Sequence, residues 1–253
     1  PGEFKHLWAR APEGARVTFV VTSCGRMTGL RRTITSFLAA NTYPIDRYVV
    51  IEDSGDPGVT DKLVEEFGDV FDVIENTRRM GQLFSIDKAH SIVQTEYIFH
   101  CEDDWVFNGI PGFVQASVAI LRHEPRASTV HLCNTSFLYP IDDFQREAPG
   151  GYLYHRIANT HIPSPPREMS IRAYAFSFHP GLQRTSDYRE LLMPLQRFFQ
   201  EDIINNFLFW KGFHMVKLPQ VYCNHLDLNR VSRHMEYHIP SYQDAGGKEP
   251  NLP

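Results

Sequence analysis

Apolar and polar positions in the first 110 residues follow a pattern that predicts strands alternating with helices. The β-branched run Val17–Thr22 is typical of a buried strand. Between Leu30 and Leu38, apolar residues then recur at the spacing of one helical face. The same patterns predict strands over Tyr48–Ile51, Val70–Ile74 and Tyr97–Cys101, and helices around Leu63–Phe67 and Leu83–Val93. This alternation favours a parallel sheet with helices packed on its faces.

The pattern is looser beyond residue 110. A helix is predicted near Phe113–Leu121 and a strand near Ser128–Leu132. Residues 140–170 contain five prolines and the pair Gly150–Gly151, which predicts a long irregular loop. Further elements are predicted as a strand over Ile171–Phe178, a helix with the apolar face Phe199, Ile203, Phe207 and Trp210, and a strand over His214–Val221.

Three of the predicted strands run directly into polar or charged residues. Ser23 and Arg26 follow the first strand, Glu52 and Asp53 follow the second, and the triplet Glu102–Asp104 follows the fourth. Ligands of parallel α/β sheets bind beyond the carboxyl ends of the strands. We therefore expect these side chains to converge on one binding site.

The composition narrows the function classes. The chain has 253 residues, 42% of them hydrophobic, and a net charge of −5. A sizeable core is therefore expected, whereas a nucleic-acid-binding protein would need a basic face. No apolar run approaches the roughly 18 residues of a membrane-spanning helix. The phosphate-binding, dinucleotide-binding and serine-hydrolase motifs GxxxxGK[ST], GxGxxG after a strand and GxSxG do not occur either.

The cysteines bear on the cellular compartment. Cys24, Cys101, Cys133 and Cys223 are far apart, mostly in apolar surroundings, and do not form a CxxC pair. We interpret them as buried free thiols of a reducing compartment. We therefore expect a cytoplasmic location, with peripheral attachment to a membrane left open.

The acidic triplet is the sharpest candidate for chemistry. In an extended segment residues i and i+2 face the same way, so Glu102 and Asp104 should point together. Adjacent acids at the end of an apolar strand repel one another unless a positive group lies between them. A divalent cation shared with a substrate diphosphate would supply that charge. The alternative is a solvated acidic turn, against which the following apolar run Trp105–Phe107 argues.

Other polar residues have both a structural and a functional interpretation. Glu201 and Asp202 begin a predicted helix, where the helix dipole favours carboxylates, but either could act as a general base. Arg78 and Arg79 could bind phosphate oxygens or be ordinary surface charges. His225, after a predicted strand, is either structural or a metal ligand.

Taken in order, these segments resemble the GT-A-fold glycosyltransferases, in particular those of the inverting family 2 type, over roughly residues 16–230. The matching segments are Val17–Arg26, Glu52–Gly55, Asn76–Gln82 with the helix after it, Glu102–Asp104 in place of a DxD motif, Glu201–Asp202, and Lys211–Phe213. The resemblance implies a single GT-A-like, Rossmann-like α/β domain with a mostly parallel central sheet flanked by helices.

The resemblance also implies a role for each site residue. Asp202 would be the general base, accompanied by Glu201. The nucleotide would be bound by Thr22, Ser23, Arg26, Glu52, Asp53, Arg79, Gln82, Lys88 and Asp103. Glu102, Asp104 and His225 would hold Mn²⁺ or Mg²⁺ on the diphosphate. The sequence departs from the family pattern at Glu102, which occupies the first position of the DxD motif.

The implied reaction moves a sugar from a nucleotide-diphosphate donor, by default a UDP-sugar, to a glycan or glycoconjugate acceptor. We expect residues 1–15 to be an N-terminal extension or a cloning remnant. The enzyme domain would span residues 16–232, with a nucleotide-binding half at 16–110 and an acceptor-binding half at 111–232, followed by a tail at 233–253. Neither a nucleic-acid partner nor a transmembrane segment is expected.

Two other functions stay open at this point. A nucleotidyltransferase of sugar phosphates would also combine a nucleotide-binding α/β domain with metal-binding acids, but it would release pyrophosphate rather than a nucleoside diphosphate. A non-catalytic carbohydrate-binding module would fit Trp8, Trp105, Trp210 and the 11 tyrosines. Aromatic residues belong more often to a core, and such a module has little need of a nucleotide site.

Overall fold

The chain folds around one large central sheet. The computed structural model describes residues 14–133, 141–158, 160–164, 168–172 and 174–226, with only the backbone given for 160–164 and 168–172. The strands are β1 (Val17–Ser23), β2 (Arg47–Glu52), β3 (Phe71–Glu75), β4 (Tyr97–Glu102), β5 (Trp105–Phe107), β6 (Ala127–His131), β7 (Ile141–Ala148), β8 (Tyr152–Ile157), β9 (Thr160–Ser164), β10 (Glu168–Arg172), β11 (Gly181–Arg184), β12 (His214–Lys217) and β13 (Cys223–His225). The helices are α1 (Met27–Ala40), α2 (Pro57–Phe67), α3 (Gln82–Ser91), α4 (Phe113–His123), α5 (Thr185–Asp187) and α6 (Glu201–Trp210). Most of the extension expected at 1–15 and all of the tail expected at 233–253 lie outside the described residues.

In the described part of the chain, nine strands form the central sheet, in the order β3-β2-β1-β4-β11-β6-β12-β8-β7. β1 lies between β2 and β4 and is parallel to both. β11 and β8 run antiparallel to their neighbours, and the other strands of this sheet share one direction. Strands β9 and β10 pair with each other, and β5 pairs with β13 in a short ribbon.

Helices cover both faces of the sheet because side chains alternate along each strand. On β1, Phe19 belongs to the core cluster that contains residues of α1, α2 and α4. The next residue, Val20, belongs to the cluster that contains residues of α3 and α6. Phe19 stacks on Phe37 of α1 with 3.9 Å between ring centroids, and both side chains are fully buried. The expected α/β domain, with a mostly parallel central sheet flanked by helices, is confirmed.

The expectation of a long irregular loop over residues 140–170 is wrong for the part that the structure describes. β7 and β8 pair there, and the turn at Pro149–Gly151 joins Ala148 to Tyr152. Gly150 and Gly151 have φ values of +94° and +80°, which only glycine adopts readily, so the pair marks a hairpin turn. β7 escaped the sequence pattern because it is an edge strand with mostly exposed, polar residues.

The strand predicted over Ile171–Phe178 is also wrong in most of its length. β10 ends at Arg172, and residues 174–178 are buried without belonging to a strand. The side chain of Asn205 on α6 accepts hydrogen bonds from the backbone N–H groups of Ala175 and Phe176, at 2.6 and 3.0 Å. The Asn205 side chain thus pairs with buried backbone N–H groups that a neighbouring strand would otherwise have to satisfy.

Helix α6 is present where it was predicted, but its buried face is different. Ile204 and Leu208 face the core, whereas Trp210 is 81% exposed. Phe199 lies before the helix, is 80% exposed and has a φ of +64°. The helix begins only at Glu201, so the regular spacing that links Phe199 to the later apolar residues is not a helical face.

None of the helices in the described part of the chain is both long enough and apolar enough to cross a membrane.

Two buried histidines join α3 to β4. His90 Nε2 lies 3.2 Å from His100 Nδ1, and both side chains are almost fully buried. Burial lowers the pKa of both rings, that of His100 to about 3. Both histidines are therefore neutral in the folded protein at neutral pH.

The buried pair predicts a loss of stability in mild acid. Below about pH 6.5 the unfolded chain binds a proton at each histidine and the folded chain does not, so the free energy of unfolding falls as the pH falls. Each such histidine lowers the free energy of unfolding by about 1.4 kcal/mol for each pH unit below this value. Urea unfolding of the wild type and of His100→Gln between about pH 7 and pH 4.5 gives the free energy of unfolding as a function of pH. We expect this free energy to change less steeply with pH in the variant.

The exposed His123, at the end of α4, provides the matched control. His123→Gln should keep the wild-type slope. Equal slopes in wild type and His100→Gln would contradict the assignment of a neutral, buried His100.

Candidate functional site

The carboxyl ends of β2, β1 and β4 lie side by side. Ser23, at the end of β1, is in register with Glu52 of β2, and Thr22 is in register with Glu102 of β4. Thr22, Ser23 and Glu52 are buried. The strand ends that the sequence pattern expects to converge are therefore neighbours at one edge of the sheet.

Glu52 connects the turns that follow β1 and β2. Its Oε1 accepts hydrogen bonds from the backbone N–H groups of Gly25 at 2.7 Å and Ser54 at 2.8 Å. Its Oε2 is buried without a hydrogen-bond partner. A Cβ added to Gly55 would lie 2.6 Å from Cα of Arg78, so only glycine lets the 76–81 loop pass this closely.

Asp53 fixes the 76–81 loop. It accepts hydrogen bonds from the side-chain amide of Asn76 at 2.7 Å and from the backbone N–H groups of Met80 and Gly81, both at 2.8 Å. Lys88 of α3 donates to the backbone carbonyl of Glu75 at 2.7 Å and to the Asn76 side chain at 3.0 Å. Asp53 and Lys88 thus hold the loop that was expected to contact the nucleotide.

Two arginines of that loop are exposed. Arg78 and Arg79 both face solvent in the described structure. Burial raises the pKa of the Cys24 thiol, and the positive charge of Arg79 opposes this shift. Arg79 therefore lies near the turn after β1, on the same side of the sheet as the acidic residues.

The acidic triplet divides between the interior and the site. Asp103 is fully buried and accepts hydrogen bonds from the Ser23 hydroxyl at 2.9 Å and from Nε of Arg26 at 3.1 Å. Nη2 of Arg26 pairs with the other oxygen of the same carboxylate. Burial raises the pKa of Asp103 to about 6 in spite of the neighbouring guanidinium. A Cβ on Gly29 of α1 would lie 2.6 Å from the Asp103 carbonyl oxygen, so the helix packs closely on this turn.

Asp104 and Glu102 lie on the open side of the triplet. Asp104 Oδ2 contacts Nη1 of Arg26 at 2.9 Å and Nε2 of His225 at 3.4 Å. Its Oδ1 is buried and has no hydrogen-bond partner among the described residues. Burial acts to raise the pKa of Asp104, but His225 and Arg26 outweigh it and the pKa is lowered. Glu102 accepts a hydrogen bond from the Gln82 amide at 2.6 Å.

Glu201, the first residue of the second acidic pair, lies within electrostatic range of the acidic triplet. Burial and the charges of Asp104, Glu201 and Asp103 raise the pKa of Glu102 well above its usual range, which places Glu201 near Glu102. Burial also raises the pKa of Glu201 to about 7, although the Ser177 hydroxyl and the Phe178 backbone N–H donate hydrogen bonds to it. Asp202, the next residue of α6, is exposed.

The ribbon of β5 and β13 brings His225 to this edge. His225 is in register with Trp105, and their rings are perpendicular with 5.0 Å between centroids. The N–H of Leu226 donates to the Asp104 carbonyl at 2.7 Å. Residues from the last described strand thus contact the turn after β4.

The donor set is incomplete as a metal cage. In the described part of the chain, no group of three or more His, Cys, Asp or Glu side chains is arranged to hold a metal ion. Glu102 and Asp104 nonetheless offer the carboxylate oxygens that hard divalent cations prefer, and one Asp104 oxygen has no hydrogen bond. These side chains would fit a cation that takes its remaining ligands from a substrate and water.

Two contributors to the site were absent from the sequence-based candidates. Asn76 follows β3 at the same sheet edge, so the strand-end rule could have identified it. Ser177 lies in the irregular segment before β11, and no local signal marks it, because only the packing of α6 brings Glu201 to it.

Comparison with known proteins rests on structure. No family profile and no curated protein sequence matches the chain. Its structure is similar to that of a mannosyltransferase from Pyrobaculum calidifontis in complex with GDP-Man and Mn²⁺, at 17% identity and a TM-score of 0.56, over 96% of this chain and 68% of the other. It is also similar to that of GalNAc-T7 with UDP, GalNAc and Mn²⁺, at 15% identity and a TM-score of 0.54, over 85% of this chain and 44% of the other. The chain therefore has the fold of the GT-A-type glycosyltransferases.

Proposed function

We propose that this protein is a metal-dependent glycosyltransferase that moves a sugar from a nucleotide-diphosphate donor to an acceptor hydroxyl with inversion. The observation that carries this proposal is the gathering of the acidic triplet, Arg26 and His225 at the carboxyl edge of a GT-A-type sheet. Such an edge is the usual ligand site of parallel α/β sheets. Both structural neighbours were solved with a nucleotide and Mn²⁺.

The nucleotide half of the proposed site lies at residues 16–110. The turns after β1 and β2 and the 76–81 loop would surround the nucleotide, with Thr22, Ser23 and Gln82 beside the acids. Arg79 is exposed and available for phosphate oxygens, whereas Glu52, Asp53 and Lys88 would act by holding these loops. One structural neighbour was solved with GDP-Man and the other with UDP, so the nucleobase differs between them. A UDP-sugar as the donor is therefore part of our proposal.

The metal half of the proposal uses three side chains. Glu102 and Asp104 would supply carboxylate oxygens to Mn²⁺ or Mg²⁺, and His225 would join them by exchanging its contact with Asp104 for the ion. Asp103 would keep the turn in place through Arg26 and Ser23. When bound, the cation would neutralise charge on the diphosphate leaving group. Magnesium-type sites commonly combine one or two carboxylates with substrate phosphates, which suits this incomplete cage.

We assign the general base to Asp202 and a positioning role to Glu201. Glu201 accepts hydrogen bonds from Ser177 and Phe178 and lies beside Glu102, so its carboxylate is committed to the donor side. Asp202 is exposed on the first turn of the same helix, where an acceptor can approach from solvent. A carboxylate there can take the hydroxyl proton as the oxygen attacks the sugar in a single displacement. The acceptor would lie against residues 111–232.

Asp202→Asn tests the base. The variant should fold normally because the side chain is exposed, and its kcat should fall by about 10²–10⁴-fold because proton transfer is lost. Donor binding should not change. Asp61→Asn, on the exposed face of α2, is the control and should keep wild-type turnover. Wild-type-like turnover in Asp202→Asn, with a large loss in Glu201→Gln, would transfer the base role to Glu201.

Nucleotide binding tests the metal site. Titration of the wild type with UDP or GDP in a calorimeter should give binding in Mn²⁺ that is lost in excess chelator. Asp104→Asn should weaken it by about 10-fold or more because a charged ligand is removed. Binding that is undiminished in chelator would contradict the site. Release of pyrophosphate instead of a nucleoside diphosphate would establish the nucleotidyltransferase alternative.

Arg26→Met tests the support of the triplet. The substitution leaves the buried Asp103 carboxylate without its guanidinium partner, which should lower the free energy of unfolding by about 2 kcal/mol or more. Adding Asp103→Asn should recover part of that loss, as measured by urea unfolding. On the same helix, Arg31→Met removes only an exposed ion pair with Glu66 and should cost under about 1 kcal/mol. Equal losses for both arginines would mean that Arg26 does not stabilise the buried acid.

A further inference from the structure

Three of the four cysteines are buried near the proposed site. Cys101, Cys133 and Cys223 are each 0–1% exposed, whereas Cys24 is partly exposed. All four are free thiols in the structure, and Cys24 departs from the burial expected for all of them. Cys133 Sγ and Cys223 Sγ lie 3.3 Å apart, although 90 positions separate them in the sequence. We infer that Cys133 and Cys223 are a disulfide-forming pair that ties the strand bearing His225 to the central sheet.

The backbone around the pair meets the requirements of a disulfide. Cys133 and Cys223 face each other in a parallel β-bridge. On the preceding residues, the N–H of Tyr222 donates to the carbonyl of Leu132 at 2.9 Å, which fixes the separation of the two segments. A disulfide requires about 2.05 Å between sulfurs and Cα atoms roughly 4.4–6.8 Å apart, the range of adjacent strands. Small side-chain rotations would bring the two sulfurs to bonding distance without moving the strands.

The chemistry needs a partner that accepts two electrons. A low-molecular-weight disulfide such as glutathione disulfide supplies this: one cysteine thiolate attacks it and releases one glutathione, giving a mixed disulfide. The second cysteine then displaces the other glutathione. One protein disulfide forms, one glutathione disulfide is reduced to two thiols, and the protons of the two cysteines are passed on to these products. Because both sulfurs are buried, the exchange would occur during transient opening or folding.

The bond would act on the strand that approaches the acidic turn. Cys133 follows β6, and Cys223 begins β13, which pairs with β5 and carries His225 two residues later. His225 contacts Asp104, so a covalent link at Cys223 anchors the chain just before this contact. The link would also close the segment between the two cysteines into a loop, which limits the freedom of the unfolded chain. This inference does not depend on the proposed transferase activity.

Peptide mapping of the full chain tests the pairing. The native wild type is equilibrated in glutathione buffers with a sub-denaturing concentration of urea, then alkylated, digested and analysed by mass spectrometry. In oxidising buffer we expect a linked peptide pair containing Cys133 and Cys223, which disappears in excess reduced glutathione. A link through Cys101 or Cys24, or four alkylated cysteines after oxidation, would overturn the inference.

Thermal unfolding tests the tether. The oxidised wild type should melt about 5–10 °C above the reduced protein because the bond constrains the unfolded chain. Cys24→Ala, the matched control, should keep that difference, and Cys133→Ala combined with Cys223→Ala should lose it. A mapped bond without any rise in Tm would overturn its role as a tether. Since the mapping uses the wild type, it decides the pairing even where the double variant does not fold.

Discussion

Negative charge held away from water at the carboxyl edge of the central sheet is the constraint on which the rest of this structure depends. Asp103 is fully buried and Glu52 nearly so, and buried carboxylates persist only where donors surround them. The turn after β1 supplies these donors through Ser23, Arg26 and the backbone N–H of Gly25. Gly29 lets α1 pack against the Asp103 carbonyl, and Arg26, directly before this helix, pairs with the Asp103 carboxylate. The turn, the helix and the ends of three adjacent strands therefore form one unit.

The second half of the chain brings both an acid and a base to this edge. Packing of α6 brings Glu201 near Glu102, and the ribbon of β5 and β13 brings His225 to Asp104. Burial and the neighbouring acids raise the pKa of Glu102, whereas His225 and Arg26 lower that of Asp104. The excess of acids near Glu102 is therefore costly unless a cation or a donor-rich ligand is bound. Under the proposed function that ligand is a divalent cation on a diphosphate. The formal charge of −5 thus includes acids concentrated at one edge, and it describes the site poorly as an average over the surface.

The predictability of the site differs between its parts. Glu52, Asp53 and Glu102–Asp104 follow directly after apolar strands, and the register of β1 with β2 and β4 makes their proximity a consequence of strand order. The role of each residue was not predictable from the sequence. Asp53 and Lys88 hold the 76–81 loop through hydrogen bonds that form only in the folded chain. Strand β7, residues 141–148, escaped prediction because an exposed edge strand does not need an apolar face. For α6, the stripe from Phe199 to Trp210 suggested the wrong buried face, because the helix starts after Phe199.

The sequence by itself determined the α/β class, the strand ends that carry charge and, except for the short strand β5, the alternation of strands and helices up to residue 131. It could do so because the periodicity of apolar residues is a local property of the sequence. Only the tertiary structure decided which carboxylates are buried, which oxygen of Asp104 lacks a partner, and that Glu201 and His225 meet the acidic turn. It also decided that Cys133 and Cys223 are neighbours. The physical reason is that these features depend on desolvation and on contacts between segments far apart in the chain. The spacing of apolar residues along the sequence indicates neither of these.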